Sequence, residues 1–238
     1  MLPLLTVHIE QAGYEADEMK LSEIDFSIEK GALVGLIGAN GAGKSTTIKS
    51  ILGLMPYMEG EIGKEEEITI SYLPERPVFY DELTLQEHID FIADVEQLSG
   101  RQMEKQVKPL LKLFKMDEHV HQLPHTYSKG MQQKAMIILA FMTKPDILII
   151  DEPFIGLDPI ATRSLLELIK KEREKGTGIL MSTHVLDTAE KVCDSFVLID
   201  AGKQLAIGTL EQLRARCGKN ALSLFDCYHH LVEEDEDE

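Results

Sequence analysis

The sequence predicts an α/β fold with a mostly parallel sheet, an antiparallel β segment at its start and a helical insertion. Short apolar runs alternate with helical patterns between residues 147 and 218, which is typical of a parallel sheet. The first thirty residues show strand signals, and residues near 84–143 are helical in pattern. At 238 residues, the chain is long enough for one large domain or two small ones.

The opening segment predicts strands followed by one helix. Apolar residues alternate from residue 24 to 28, and Lys30-Gly31 marks a turn, so antiparallel strands are expected. Residues 32–37 form an apolar run that ends in glycine, which predicts a buried strand. Residues 44–52 then predict a helix ended by Gly53. Residues 61–72 predict two short strands around a polar turn.

Capping signals mark the helices that follow. Thr84 with Glu87 and Ser99 with Gln102 form capping boxes, and Ser128 caps a helix that runs to residue 141. Three further helix signals and four strands follow in the chain. The helix signals are Asp158-Pro159 at a start, Gly176 at an end and Thr209 with Gln212 at a second start, and the strands are 147–150, 179–182, 196–199 and 205–207.

Composition excludes several classes of protein. The formal net charge is −17, and the chain stays acidic without its last six residues, which are all acids. Such a chain is poorly suited to nucleic acid or to anionic lipid, because both require clustered Lys and Arg. The three cysteines, Cys193, Cys217 and Cys227, form no CxxC pair, which indicates a reducing compartment without a zinc site. No signal peptide or membrane-spanning stretch is predicted.

A phosphate-binding loop is predicted at residues 38–45. The segment GANGAGKS fits GxxxxGK[ST], follows a predicted strand and opens a predicted helix. Glycines let backbone N–H groups surround an anion, and the helix dipole adds positive potential. We expect Lys44 to reach the β- and γ-phosphates and Ser45 to bind Mg²⁺. A glycine-rich turn without function is the alternative, and the strand–helix context disfavours it.

Two further strand ends carry polar residues that suit a nucleotide. The strand at 147–150 ends in Asp151 and Glu152, where Asp151 can bind Mg²⁺ and Glu152 can orient or deprotonate an attacking water. Solvated acids at a strand end are the alternative. His184 follows the strand at 179–182, which suits contact with a γ-phosphate, although a lone histidine is more often structural.

The segment YSKGMQQ at residues 127–133 provides a second phosphate-binding helix start. Ser128 and Gly130 open a helix whose N–H groups can receive a phosphate, although a simple helix cap accounts for them equally. Because the loop at 38–45 already holds the phosphates, a second such element indicates a nucleotide held between two protomers.

Together these motifs resemble the ATP-binding subunit of an ABC transporter, and most closely the Ecs-type ATPases. Residues 38–45 resemble Walker A, residues 147–151 resemble Walker B, and residues 127–132 resemble the signature. The resemblance implies that Glu152 and His184 are catalytic and that Ser45, Glu75 and Asp151 bind Mg²⁺. It implies an ATP site built from Tyr14, Gly38, Ala39, Asn40, Gly41, Ala42, Gly43, Lys44, Ser45, Thr46, Ser128, Gly130 and Asp158.

The resemblance also implies domain boundaries. A P-loop NTPase core with a mostly parallel sheet and an N-terminal antiparallel β subdomain is expected at 1–74 and 144–208. An inserted α-helical subdomain is expected at about 75–143, and a C-terminal helical segment at 209–232. These form a single ABC ATPase domain over residues 1–232, and residues 233–238 are expected to be a disordered acidic tail.

Three features depart from the common family pattern. The signature is YSKGMQ instead of LSGGQ, so Lys129 adds a positive charge near the expected γ-phosphate. Glu75 stands where most members have the Q-loop glutamine, and a carboxylate there can still bind Mg²⁺. Residues 60–68 are short for the family, which makes the usual hairpin uncertain.

The function implied is ATP hydrolysis that powers a separate multi-span membrane permease, which acts as an exporter. The ATPase is expected as a homodimer with ATP at the interface, on the cytoplasmic face of the membrane, without nucleic acid and without direct membrane insertion. Val78, Phe79 and Tyr80 are candidate docking side chains, or else buried core. The alternatives are a soluble ABC-type ATPase that acts in translation or on DNA ends, and a regulatory subunit without turnover.

Overall fold

The computed structural model describes residues 3–15, 17–65, 67–218 and 221–236. The chain divides into two units. The first combines Met1–Ile68 with Gly178–Glu238, and the second is the continuous segment Thr69–Thr177. Both units combine helices with strands, so the predicted α/β class is confirmed.

Seven strands form the sheet of the first unit. They are β1 (Leu5–Glu15), β2 (Glu18–Ile28), β3 (Leu33–Ile37), β4 (Tyr57–Lys64), β7 (Gly178–Thr183), β8 (Ser195–Asp200) and β9 (Lys203–Gly208). Their order is β4-β1-β2-β9-β8-β3-β7. Strands β1, β2 and β4 are antiparallel, as predicted for the start of the chain, whereas β3 runs parallel to both β7 and β8.

The described residues of the first unit form four helices. They are α1 (Lys44–Ile51), α6 (Leu186–Val192), α7 (Leu210–Arg216) and α8 (Leu224–Glu236). Every residue of β3 is buried, which its continuous apolar run predicts. Leu224, Cys227 and Leu231 of α8 pack in one cluster with Ile37 and Leu198, so α8 is attached to the strands beside β3.

The second unit contains two strands and four helices. They are β5 (Ile70–Leu73), α2 (Leu85–Val95), α3 (Gly100–Phe114), α4 (Lys129–Met142), β6 (Ile147–Asp151) and α5 (Pro159–Lys175), with a 3-10 turn at Pro124–Thr126. Strands β5 and β6 are parallel, with Leu73 opposite Ile150. The predicted capping boxes at Thr84 and Ser99 are confirmed. The boundaries predicted for the helical insertion, 75–143, fall inside this unit and stay a prediction.

The two strands predicted within residues 61–72 do not form a hairpin with each other. Strand β4 pairs antiparallel with β1, and β5 pairs parallel with β6 in the other unit. The absence of the usual family hairpin at residues 60–68 stays a prediction, and the boundary between the units falls directly after this segment, at Ile68.

The C-terminal helix is longer than the sequence predicts. Helix α8 continues to Glu236, so the expectation of disorder is wrong for residues 233–236, and residues 237–238 lie outside the described part of the chain. His229 Nδ1 lies 3.6 Å from Glu233 Oε1, and His230 Nε2 lies 3.6 Å from Glu234 Oε1. The two residues of each pair are one helical turn apart. Such i,i+4 pairs favour helix at a charged end. Within the described residues, no helix combines the length and the apolar character that crossing a membrane requires.

Candidate functional site

The predicted phosphate loop lies in the first unit, between buried strand β3 and helix α1. Helix α1 starts without a side-chain cap, because its N-cap is Gly43 with φ 110°. The Lys44 side chain is buried, and its Nζ donates to the carbonyl oxygens of Gly38 at 2.8 Å and Ala39 at 3.1 Å. The loop therefore folds around the lysine, at a helix start of the kind that binds anions.

Two of the loop glycines are restricted, Gly38 by the backbone of β8 and Gly43 chiefly by its own backbone conformation. A Cβ on Gly38 would lie 2.5 Å from the carbonyl oxygen of Ile199, and one on Gly43 would lie 2.6 Å from Leu21 Cδ2. The positive φ of Gly43 also favours glycine. These contacts seat the loop directly on β2 and on the end of β8, which explains why the pattern requires glycine at both positions.

His184 follows β7 at the same edge from which the phosphate loop leaves β3. The two strands are parallel, and Ile37 is paired with Thr183. Gly38 and His184 are therefore the next residues along two neighbouring strands. The histidine is exposed, and the buried Thr183 holds the following turn, because its Oγ1 accepts from the Val185 N–H at 3.0 Å. The structure thus brings His184 beside the loop, as predicted.

Tyr14 lies beside helix α1. Lys49 Nζ donates to its hydroxyl at 3.0 Å and lies 5.2 Å from the ring centroid. The hydrogen bond from Lys49 holds the pKa of Tyr14 below its usual range, and Thr46 adds to this. Tyr14 is 45 % exposed. An exposed aromatic residue of β1, beside the helix that follows the phosphate loop, suits stacking on a base.

The predicted carboxylates lie in the second unit, at the end of β6. Asp151 and Glu152 are both buried. Glu152 has φ 48°, in the left-handed region that a glutamate rarely adopts. Backbone strain of this kind persists where the surrounding structure enforces it, and it is frequent at active sites. Glu152 therefore combines a buried position with an uncommon backbone conformation directly after β6.

Glu75 and Asp151 leave the same edge of the two strands of the second unit. Strand β5 is parallel to β6, and Glu75 lies two residues beyond the end of β5. The Tyr72 hydroxyl lies 3.5 Å from Asp151 Oδ2. Burial, with the nearby charges of Asp151 and Glu75, holds the pKa of Tyr72 well above its usual range. Two carboxylates at one strand edge are oxygen ligands of the type that Mg²⁺ prefers.

The signature segment forms the start of α4. Ser128 is its N-cap, and its hydroxyl accepts from the Met131 N–H at 3.3 Å. A Cβ on Gly130 would lie 2.9 Å from the Gly156 carbonyl oxygen, so the helix start packs tightly on the turn after Glu152. The buried Tyr127 donates to the His119 carbonyl at 2.6 Å. The contact of Gly130 with Gly156 and the hydrogen bond of Tyr127 to His119 therefore fix the backbone position of the α4 start, which includes Ser128 and Gly130.

Asp158 is joined to the signature helix by a lysine that the sequence analysis did not single out. Lys134 Nζ donates to Asp158 Oδ2 at 2.8 Å, and the Ala161 N–H donates to Oδ1 at 2.8 Å. The Lys134 ammonium and the Ala161 amide hold the pKa of Asp158 below its usual value. Asp158 caps α5, as predicted, so this ion pair connects the starts of α4 and α5.

The structure thus gathers the predicted residues into two sets. The first unit holds Tyr14, residues 38–46 and His184, and the second holds Glu75, Ser128, Gly130, Asp151, Glu152 and Asp158. Sequence reasoning missed Lys134, which lies four residues beyond Gly130 on the face of α4 that reaches Asp158. It also missed the contact of Tyr228 with the phosphate loop, for which no local signal exists.

Comparisons with known proteins agree on one family. Residues 21–155 match the ABC transporter family. The chain is 48 % identical to the uncharacterized ABC transporter ATP-binding protein YthP of Bacillus subtilis (strain 168), over 99 % of each chain. It is 44 % identical to the ABC-type transporter ATP-binding protein EcsA of the same organism, over 98 % of each. A solved structure of the ATP binding subunit of an ABC transporter matches with TM-score 0.92 at 42 % identity, covering 96 % of this chain and 99 % of that one.

Proposed function

The chain belongs to the ABC transporter family and is an ATPase, and from that premise we propose that it powers a separate membrane permease that acts as an exporter. The observation that carries the permease half of the proposal is an exposed apolar groove in the second unit, described below. The observation that carries the ATPase half is the phosphate loop built around buried Lys44.

In this proposal, ATP binds with its phosphates on the loop at residues 38–46 and its adenine on Tyr14. Three features support this: the glycine contacts that keep the loop on β2 and β8, the uncapped start of α1, and the exposed face of Tyr14 beside Lys49. Lys44 neutralises phosphate charge, and the N–H groups at the start of α1 donate to phosphate oxygens.

Ser45 of the first unit, and Glu75 and Asp151 of the second, are the proposed ligands of Mg²⁺. Hydroxyl and carboxylate oxygens are hard ligands of the kind that Mg²⁺ prefers, and the parallel pairing of β5 with β6 brings the two carboxylates of the second unit to one edge. A bound Mg²⁺ would neutralise charge on the β- and γ-phosphates.

Glu152 is the proposed general base, and His184 the proposed contact to the γ-phosphate. The burial and strained backbone of Glu152 support the first role, and the register of β7 with β3 supports the second. Glu152→Gln should lower ATP turnover about a hundredfold or more and leave ATP binding intact, because a base contributes to the chemical step.

Steady-state phosphate release and equilibrium binding of a fluorescent ATP analogue separate the two effects. Glu29→Gln, an exposed glutamate before β3, is the matched control and should behave as wild type. Normal turnover in Glu152→Gln would rule out the assigned base.

Two chains are proposed to close over two ATP molecules, with Ser128, Gly130 and Asp158 of one chain completing the site of the other. The tight packing of the α4 start on Gly156 and the Lys134–Asp158 pair support this, because they hold all three residues on one rigid framework. With ATP bound, Glu152→Gln should elute as a dimer in size-exclusion chromatography with light scattering. A monomer at saturating ATP would contradict this part of the proposal.

The permease is proposed to dock on a groove of about 490 Å³ in the second unit. Val78 and Tyr80 lie on its rim and are 71 % and 58 % exposed, and Phe91 and Val95 of α2 are exposed nearby. The sequence left docking side chains and buried core as alternatives for residues 78–80, and these exposures favour docking for Val78 and Tyr80, whereas Phe79 is half-buried against His88. Contiguous apolar exposure of this kind marks protein interaction sites.

A buried histidine fixes the shape of that groove. The Tyr80 N–H donates to His88 Nε2 at 3.0 Å, and His88 Nδ1 lies 2.8 Å from the Thr84 carbonyl oxygen. A carbonyl can only accept, so the hydrogen is on Nδ1 and Nε2 is the acceptor. The neutral ring therefore holds the Tyr80 segment on α2 and presents its apolar side chains in a defined arrangement.

Affinity purification from detergent-solubilised membranes tests the docking. The tagged chain should recover a multi-span membrane protein, and Val78→Ser with Tyr80→Ser should lower that recovery at least about tenfold. ATP hydrolysis by the isolated double variant should equal wild type. Ile207→Ser, which is 48 % exposed on β9 of the other unit, is the matched control. Recovery of ribosomal RNA without a membrane protein would contradict the proposal.

The most specific part of the proposal is the direction of transport. The resemblance of residues 127–132 to exporter signatures supports export. Cells that carry Glu152→Gln should retain a compound that wild-type cells release into the medium. Mass spectrometry of cell extracts and medium measures this difference. A compound depleted inside the variant cells would indicate import and overturn the assignment.

A further inference from the structure

Helix α8 reaches the phosphate loop through a single tyrosine. The Ala39 N–H donates to the Tyr228 hydroxyl oxygen at 3.0 Å, across 189 residues of sequence. The same hydroxyl lies 3.1 Å from Asp200 Oδ1 and 3.5 Å from the Ile199 carbonyl oxygen. Three groups at the start of the loop and the end of β8 thus converge on one oxygen.

Donor and acceptor rules assign each bond at this oxygen. A phenol has one hydrogen to donate, and the shorter contact to the Asp200 carboxylate receives it. Its lone pairs then accept from Ala39. Burial raises the pKa of Tyr228 and the Ala39 amide opposes this, while the Asp200 charge raises it further, so the phenol keeps its proton at neutral pH. Donation to a carboxylate also polarises the hydroxyl and makes it a better acceptor for Ala39.

The Ala39 residue is consequently held at both of its backbone polar groups. Its N–H is bound by Tyr228, and its carbonyl oxygen accepts from Lys44 Nζ at 3.1 Å. Gly38, one residue earlier, touches the Ile199 carbonyl so closely that no side chain fits. The first two residues of the loop are therefore anchored to β8 and to α8.

The side chains around Tyr228 make α8 a firm support for this contact. Leu224, Cys227 and Leu231 are buried against Leu198 and against Ile37, which immediately precedes the loop. Tyr228 itself packs on this cluster. The ring is thus held in place independently of its hydroxyl, so removing the oxygen alone tests the hydrogen bonds without removing the packing.

We propose that Tyr228 is a positioning residue of the nucleotide site, whose hydroxyl orients the first peptides of the phosphate loop and thereby sets the affinity for ATP. The proposal rests on the proposed binding role of residues 38–46. It gives α8, a segment outside the motifs of the nucleotide site, a direct effect on ATP binding.

Tyr228→Phe should raise the Kd for MgATP about threefold to tenfold, the range expected when one orienting hydrogen bond is lost. The melting temperature should change little, because Ala39 is exposed and water can replace the bond to its N–H. In hydrolysis assays KM should rise by a similar factor with kcat nearly unchanged, because the reacting groups are untouched. Asp200→Asn, which weakens the hydroxyl as an acceptor, should give an intermediate Kd.

Two controls separate positioning from simple stability. Tyr57→Phe removes a hydroxyl from β4 and should leave the Kd at the wild-type value. Ile9→Val leaves a small cavity in β1, outside the cluster that holds α8, and should lower the melting temperature with little change in Kd. If Tyr228→Phe binds MgATP as wild type does, or if Ile9→Val raises the Kd equally, the proposed role is wrong.

Lys44→Ala distinguishes this failure from failure of the proposed site. If Lys44→Ala abolishes MgATP binding while Tyr228→Phe binds normally, the site stands and only the role of Tyr228 falls. If Lys44→Ala binds MgATP normally, the site assignment itself is wrong, and with it the role of Tyr228.

Discussion

Helices α1 and α4 both begin at a predicted phosphate-binding segment, but the two starts are built differently. Helix α1 begins at a glycine with φ 110° and has no side-chain cap. Helix α4 begins at Ser128, whose own hydroxyl accepts from the Met131 N–H. The backbone of one start is shaped by contacts with strands, and the other is shaped by its own side chain and by Gly156.

This difference indicates different tasks. A helix start that no side chain caps is a common place for a phosphate, so the α1 loop is suited to bind nucleotide by itself. At the capped start of α4, the Met131 N–H already donates to the Ser128 hydroxyl. Helix α4 is therefore suited to add to a nucleotide that is already bound, which agrees with the proposed closure of two chains over ATP.

Removing the charge at the α1 start tests whether this start is the primary nucleotide site. Lys44→Ala should weaken MgATP binding about a hundredfold, because a charged donor to phosphate is lost from a buried position. Isothermal titration calorimetry measures the change. Lys30→Ala removes an exposed lysine before β3 and should bind as wild type does. Equal affinities for Lys44→Ala and wild type would show that the uncapped start is not the primary site.

A second variant disturbs the α4 start alone. Gly130→Ala places a Cβ 2.9 Å from the Gly156 carbonyl oxygen, so the helix start must shift. A displacement of this kind should lower ATP turnover about tenfold to a hundredfold, with MgATP binding to the single chain unchanged. Phosphate release and calorimetry report the two quantities separately.

Gly100→Ala is the matched control for that variant. Gly100 opens α3, and a Cβ there meets nothing within 4 Å, so turnover and binding should both stay at wild-type values. If Gly130→Ala lowered binding as strongly as turnover, the proposed division of tasks between α1 and α4 would fail.

Paired substitutions at Ser128 sharpen the comparison further. Ser128→Ala removes the cap and should cost about 1 kcal/mol of unfolding free energy. Ser128→Asp keeps a good cap but places a carboxylate where a phosphate is expected, so it should keep the stability of wild type and lose turnover about tenfold. Urea unfolding and phosphate release distinguish them. If ATP turnover changed in parallel with the unfolding free energy in both variants, Ser128 would act only as a helix cap.

The smallest expected effect concerns the ion pair between the starts of α4 and α5. Because Lys134 lowers the pKa of Asp158, the charged pair stabilises the fold above the ordinary aspartate pKa of about 3.9 and loses this effect as pH falls below it. Asp158→Asn should melt slightly below wild type near neutral pH, and the difference should vanish in acid. Melting curves measured across this range test the prediction.

A double variant checks the origin of that pH dependence. Lys134→Gln combined with Asp158→Asn should show no pH dependence beyond that of Asp158→Asn alone, because both substitutions remove the same pair. A further change in the double variant would assign the effect to another carboxylate.

Features decided within a few residues could be predicted from sequence. The caps at Thr84, Ser99 and Asp158 are confirmed, because each depends on a side chain and an N–H group three residues later. Helix α6 was missed for the same reason: it is seven residues long and follows Val185, which offers no side-chain cap.

Features that depend on distant partners could not be predicted. The pairing of Leu73 with Ile150, and so the common edge of Glu75 and Asp151, requires the parallel sheet to be known first. The positive φ of Glu152 has no local signal in the sequence, because glutamate is not a residue that favours this conformation. The phosphate loop itself was predicted because its glycines encode it locally, whereas its support from Tyr228 is invisible at that range.

The parallel pairing of β3 also has a consequence for synthesis. Strand β3 lies between β7 and β8. Leu33 can pair only after Ile179 of β7 has been synthesised, and Val34 gains its partner in β8 only after Ser195 has been synthesised. The continuous second unit can fold in that interval, because domains form as their residues emerge from the ribosome. A growing chain thus carries the complete loop sequence, and β2 beneath it, long before β7, β8 and α8 have been made. The loop obtains its full support only when nearly all of the chain has been synthesised.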